Sequence, residues 1–143
     1  MKIGYSRIDI TPTQPVPLAG YGSTSDRMST GVFSELKTTA VAITDTAGRS
    51  VILMAVDLIN DRGSVARDIR KGVSEKTGVP EELILVTFSH THSGPDLDND
   101  SATPYMKDYR ELVVFQAVAA GEAAWKDRKT AEMSVGVANV EVT

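Results

Sequence analysis

Leu83-Ile84-Leu85-Val86-Thr87-Phe88-Ser89-His90-Thr91-His92-Ser93-Gly94-Pro95 is the stretch whose reading decides the fold. Leu83 to Ser89 is an apolar run that reads as a buried strand. Gly94-Pro95 then breaks the chain into a loop. Upstream, Ser50 to Leu58 reads as a second strand. Between them Ser64 is placed to N-cap a helix running to Thr77, with Gly78 at C′ and Pro80 beyond. Val65, Ile69 and Val73 fall at i, i+4 spacing and form one apolar stripe. Strand, helix and strand in this order make a βαβ unit, so the two strands are expected to be parallel with a right-handed crossover.

Outward from this unit, Lys2 to Ile10 reads as a strand that stops at Thr11-Pro12. Thr13 to Thr30 is a long loop rich in Pro, Ser and Thr, with Gly20-Tyr21-Gly22 at its centre, where backbone can approach a ligand closely. Thr38 to Thr44 is a strand, and Asp45 to Arg49 turns it into the Ser50–Leu58 strand as a hairpin. Pro104 opens a helix to Lys126 in which Leu112, Phe115, Val118 and Ala119 cover one face and the small residues Ala117, Ala120 and Gly121 permit close packing. Met133 to Val142 alternates as a terminal strand. The expected fold class is α/β: a mixed sheet with a βαβ unit and flanking helices. Residues 1–143 form one domain or part of one, and the stop at Thr143 inside a strand pattern suggests a piece of a longer chain.

Apolar content of 41% and charged content of 24% are those of a soluble globular protein. The net charge of −4 argues against nucleic acid or an anionic membrane as partner. With no cysteine, a disulfide scaffold and a thiolate zinc site are excluded. No apolar run approaches the ~20 residues of a membrane span. The N-terminus has no signal-peptide core, so the expected location is cytoplasmic, or secreted or periplasmic if the native N-terminus is longer. Nothing in the sequence sets the oligomeric state.

The chain has 2 histidines, and both are in the opening stretch. Along a strand, residues i and i+2 point to one side, so His90 and His92 are offered to one cavity as metal ligand and neighbouring acid/base group. C-terminal strand ends are where open α/β sheets place their sites. The plain alternative is a pair of solvated imidazoles capping strand carbonyls. Asp57 ends the apolar run from Ile52 to Val56 and should lie at the same sheet edge. It reads either as a carboxylate orienting an imidazole or as a loop cap. Asp96, Asp98 and Asp100 read as a solvated acidic loop, lacking the glycine and glutamate of a calcium loop. Ser93 has no independent base, so a serine triad is not supported. Trp125 reads as core or interface, and Asp9-Ile10-Thr11 as an Asx turn.

Several segments in this order resemble the N-terminal part of the neutral/alkaline, non-lysosomal ceramidase family. They are Gly4 to Pro12, Leu18-Ala19-Gly20-Tyr21-Gly22, Ala55-Val56-Asp57-Leu58, and Val86 to Pro95 with its His-Thr-His-Ser-Gly-Pro core. The resemblance implies a zinc-dependent hydrolase of linear amides. It implies that His90 is a zinc ligand and that His92 stands beside the metal and contacts the reacting group. The family's other ligands, a histidine, a glutamate and a tyrosine, come from later in its chain. The remainder of a longer chain is therefore an expected partner. Where the family continues the motif with small residues, this chain has Asp96-Leu97-Asp98, and where it often has a histidine after a glycine, Gly31 is followed by Val32. The implied substrate is a small-molecule amide, or an ester, lipid-like but not necessarily ceramide. Two other readings remain. One is a non-catalytic relative that keeps the fold as a binding or structural domain. The other is a metallophosphoesterase using Asp57, His90 and a bridging second metal.

Overall fold

The computed structural model describes residues 1–21, 27–61, 64–98 and 103–141. Strands β1 (Lys2–Asp9), β2 (Lys37–Thr44) and β3 (Ser50–Val56) form an antiparallel meander. Helix α1 (Ser64–Thr77) then crosses to β4 (Ile84–Phe88), which pairs parallel to β3 from Ile52↔Ile84 to Val56↔Phe88. Helix α2 (Tyr105–Lys126) leads to a short β5 (Lys129–Thr130) on the far side of β1. The sheet order is β4-β3-β2-β1-β5. This is the mixed α/β sheet with a βαβ unit that the sequence implies.

Strand side chains alternate between two faces, and only one face is covered. Ala40, Ala42, Ile52, Met54, Val56 and Ile84 are buried under the helices, against Val65, Ile69 and Val73 of α1. On the other face Leu53 and Leu85 are 41% and 56% exposed. The expected buried strand at Leu83–Ser89 is therefore an edge strand with one open face. It begins only after a 3-10 turn at Glu81–Leu83.

Helix α2 buries Met106, Tyr109, Val113, Ala117, Ala120, Gly121 and Ala124, while Phe115, expected inside, is 70% exposed. Small residues, not the bulky ones, decide the phase. Gly121 packs so closely on α1 that a Cβ there would stand 2.7 Å from a Val73 methyl, and one on Gly4 of β1 would stand 2.0 Å from the Ala124 carbonyl oxygen.

At the start of α1 the Ala66 N–H is met by the Asp61 carboxylate at 2.9 Å, so the cap is Asp61 rather than Ser64. At its end Gly78, at φ 73°, returns its N–H to Ser74 O as expected. The terminal strand expected from Met133 to Val142 is not formed among the described residues. Pairing stops at Thr130, and Val135 and Val137 are 86% and 94% exposed, because no neighbouring strand meets them. Val142 lies outside the described residues.

Candidate functional site around the His-Thr-His motif

The parallel pairing of β3 and β4 carries both strands to the same end of the sheet, and it continues past their ends. Ser89 N–H donates to Val56 O and His90 N–H to Leu58 O, at 3.1 and 3.0 Å. Asp57 and the histidines thus emerge side by side, as the βαβ pattern implies. The motif itself is not strand. β4 ends at Phe88, and His90 has φ 60°, in the left-handed region that a non-glycine residue enters only at a cost. This turn, rather than strand alternation, brings the rings together. The His90 and His92 centroids are 5.1 Å apart at 61°.

His90 is exposed but anchored. Its Nδ1 lies 2.8 Å from Ile59 O. A carbonyl only accepts, so Nδ1 is the donor, and in the neutral ring Nε2 is the nitrogen that holds the lone pair. Metal-binding histidines are commonly oriented in this way, through the ring nitrogen that does not bind the metal. For His90 that orienting contact is made by a backbone carbonyl. The Asp57 carboxylate instead accepts the Lys37 N–H at 3.0 Å, and its own N–H donates to Lys37 O at 2.9 Å. The side chain is turned toward the start of β2, where an unpaired donor needs it.

His92 is half-buried and enclosed by the loop that precedes β2. Gly20, at φ 86°, lies against it so closely that a Cβ would stand 2.6 Å from the ring. Tyr21, itself at φ 60°, meets the imidazole edge-on with centroids 5.1 Å apart. The described part of this loop is not structureless. Ala19 N–H donates to Gly94 O and Asp96 N–H to Pro17 O, both at 2.9 Å, sewing it to the motif. Gly22 lies outside the described residues.

A cavity of about 640 Å³ opens beside the motif, within the size range of ligand pockets. Val16, Leu18, Met28, Val32, Phe33 and Leu36 give it apolar walls, and Asp57, Ser89, Thr91 and Ser93 a polar end. The imidazoles do not line it. Thr91 and Ser93, the residues that alternate with the histidines, line it instead.

Asp96, from the acidic loop, accepts the Asp98 N–H at 3.1 Å as an Asx turn, and Asp100 lies outside the described residues. Trp125 is half-buried under the Arg128 guanidinium. A catalytic zinc usually takes three protein ligands. Among the described residues no three His, Asp or Glu side chains gather to hold a metal. The donors present suit part of a zinc shell: one imidazole with a free, oriented Nε2 and a second ring beside it.

No protein-family profile matches the chain, and no curated protein matches it in sequence. Solved structures do. Neutral ceramidase from Pseudomonas aeruginosa superposes with a TM-score of 0.75 at 22% identity, over 90% of this chain and 22% of that one. A ceramidase complexed with C2 superposes with a TM-score of 0.74 at 22% identity, over 90% of this chain and 21% of the other. The chain thus spans about a fifth of the length of these enzymes. No helix among the described residues is long and apolar enough to cross a membrane. The likeness agrees with the resemblance carried by the motifs: this chain has the fold of one portion of neutral ceramidase.

Proposed function

We propose that the chain is the N-terminal part of a zinc-dependent, neutral-ceramidase-like hydrolase that cleaves the amide, or ester, of a lipid-like small molecule. The observation that carries this is the Nδ1 contact of His90 with Ile59 O, which leaves Nε2 directed as a ligand beside a second imidazole. The ceramidase fold supports it.

In this reading His90 holds zinc through Nε2, and the remaining ligands come from elsewhere in the longer chain. Zinc, when bound, would polarise the scissile carbonyl and acidify water toward a pKa of about 7. His92 would hydrogen-bond to the negative charge that develops on the carbonyl oxygen, or carry the proton lost by the attacking water to the leaving group. Asp57 acts at one remove, fixing the start of β2 and with it one wall of the cavity. The apolar walls then suit the alkyl part of the substrate, and the hydroxyl-lined end lies next to the motif.

The test is metal content by mass spectrometry beside hydrolysis of a panel of N-acyl amides and esters, in the full-length protein. His90→Ala should lose both metal and activity. His92→Ala should keep the metal and lose about 10²–10⁴-fold in rate. Asp57→Asn should lose no more than about 10–100-fold. If His90→Ala keeps zinc and rate while His92→Ala loses the metal, the two roles are exchanged. If both behave as wild type, the motif is structural and the proposal fails.

A further inference from the structure

One basic side chain outside the motif ties the Ala19–Tyr21 turn to His92. Arg27 Nη1 donates to Gly20 O at 2.7 Å and to Ala19 O at 3.4 Å, and Nη2 donates to His92 O at 3.3 Å. The guanidinium carbon also lies 5.1 Å from the centre of the Tyr21 ring, the same ring that meets His92 edge-on. Arg27 thus bridges the Ala19–Tyr21 turn and the motif through backbone carbonyls.

The physics favours such a device here. Gly20 and Tyr21 both have positive φ, and their turn brings carbonyl oxygens from separate segments toward one point. Converging carbonyl dipoles repel unless a donor stands among them. The planar fork of arginine supplies several N–H groups in fixed directions, and charge-assisted bonds are the stronger kind. The turn cannot drift without moving His92, since Gly20 is already in contact with the imidazole. The only other described ring against His92 is His90, whose own orientation is set independently by Ile59.

We infer that Arg27 is a positioning residue: it clamps the Gly20–Tyr21 turn onto His92 and so fixes the direction in which that imidazole faces the reacting group. The inference rests on the reading of His92 as the acid/base group, but its geometric half can be tested without activity.

The experiment is a carbon–proton spectrum of the imidazole ring of each histidine in the protein, with signals assigned by His92→Gln. It compares wild type with Arg27→Ala, Arg27→Lys and Gly20→Ala, with unfolding temperature recorded for each. In wild type the Tyr21 ring should displace the His92 ring-proton signals from free-histidine positions. Arg27→Ala should move them toward those positions and broaden them, leaving His90 in place. Arg27→Lys, with one ammonium for three carbonyls, should restore them only in part. Gly20→Ala should displace the same signals by pushing the ring directly, which keeps the inference testable if Arg27→Ala does not fold. In the hydrolysis assay, Arg27→Ala should lower kcat by about 10-fold or more, as for supports of site residues, with KM and metal content little changed. If the His92 signals of a folded Arg27→Ala coincide with those of wild type, or if His90 moves instead, the inference is overturned. If they move as described but no substrate is hydrolysed by wild type, the clamp stands and the hydrolase proposal is what fails.

Discussion

Replacing Gly4 by alanine tests the packing that the account depends on, because two effects of opposite sign compete there. A glycine inside a strand is usually a weakness, and alanine in its place is worth roughly 0.5–1 kcal/mol of added stability. Gly4, however, is where β1 crosses α2. A Cβ at this position would stand 2.0 Å from Ala124 O, 2.7 Å from Arg128 N and 3.0 Å from the Asp127 carbonyl carbon. Side-chain carbons do not approach such atoms closer than 3.0 Å, so strand and helix must part by at least 1.0 Å. The opposing atoms are all backbone, at the end of a helix already pinned by the Arg128 guanidinium to Thr44 Oγ1 at 2.6 Å, and no rotamer change relieves the contact. Overpacking of this kind costs about 1–3 kcal/mol, and the rigid partners place Gly4→Ala in the upper part of that range. The clash outweighs the strand preference. Net destabilisation of about 1–2 kcal/mol is expected, with a fall in Tm of about 2–8 °C. Urea unfolding followed by circular dichroism reads it as a lower midpoint at unchanged slope. An alanine variant as stable as wild type, or more stable, would refute the close docking of β1 on α2.

Tyr109 donates its hydroxyl to Ile10 O at 2.8 Å inside the core, and burial pushes the phenol well above its ordinary range, so it stays a donor. Tyr109→Phe should cost about 1–3 kcal/mol by orphaning that carbonyl, read as a lower urea midpoint. Acid should weaken the fold. Lys37 holds the Asp9 carboxyl below its usual range, the Arg49 N–H does so for Asp45, and Lys129 for Asp127. Because these folded-state values are lowered, their contribution is complete above the ordinary carboxylate range and is lost as pH falls below about 4. The urea midpoint should be level above about pH 5 and drop below that range, and Asp9→Asn should shallow the drop.

The architecture could be read from the chain because its signals were local. The stripe of Val65, Ile69 and Val73 and the glycine at 78 define α1, and a helix between the runs Ile52–Val56 and Ile84–Phe88 makes those strands parallel neighbours. In α2 the close packing expected at Ala117, Ala120 and Gly121 is present, and Phe115 faces out so that these small residues can face in. The alternation from Met133 onward marks strand chemistry, but a strand exists only where a neighbour supplies hydrogen bonds, and pairing ends at Thr130. At the site, the histidine pair and the nearness of Asp57 were legible. Ile59 was not, because it acts through its carbonyl and leaves no side-chain signal. Arg27 escaped for the same reason, its partners all being main-chain oxygens brought together by turns at Gly20 and His90. Gly20 carried the one usable hint, a residue whose missing Cβ lets another group come close.

The central claim is that His90 is held through Nδ1 so that Nε2 is free to bind zinc. Long-range proton–nitrogen correlation of the imidazoles at about pH 8, where an ordinary imidazole is neutral, reports this directly. The account predicts that His90 is the Nδ1–H tautomer before zinc is added, and that added zinc shifts its Nε2 resonance while Nδ1 stays protonated. An Nε2–H tautomer at His90, or zinc that perturbs Nδ1 or neither nitrogen, would contradict it.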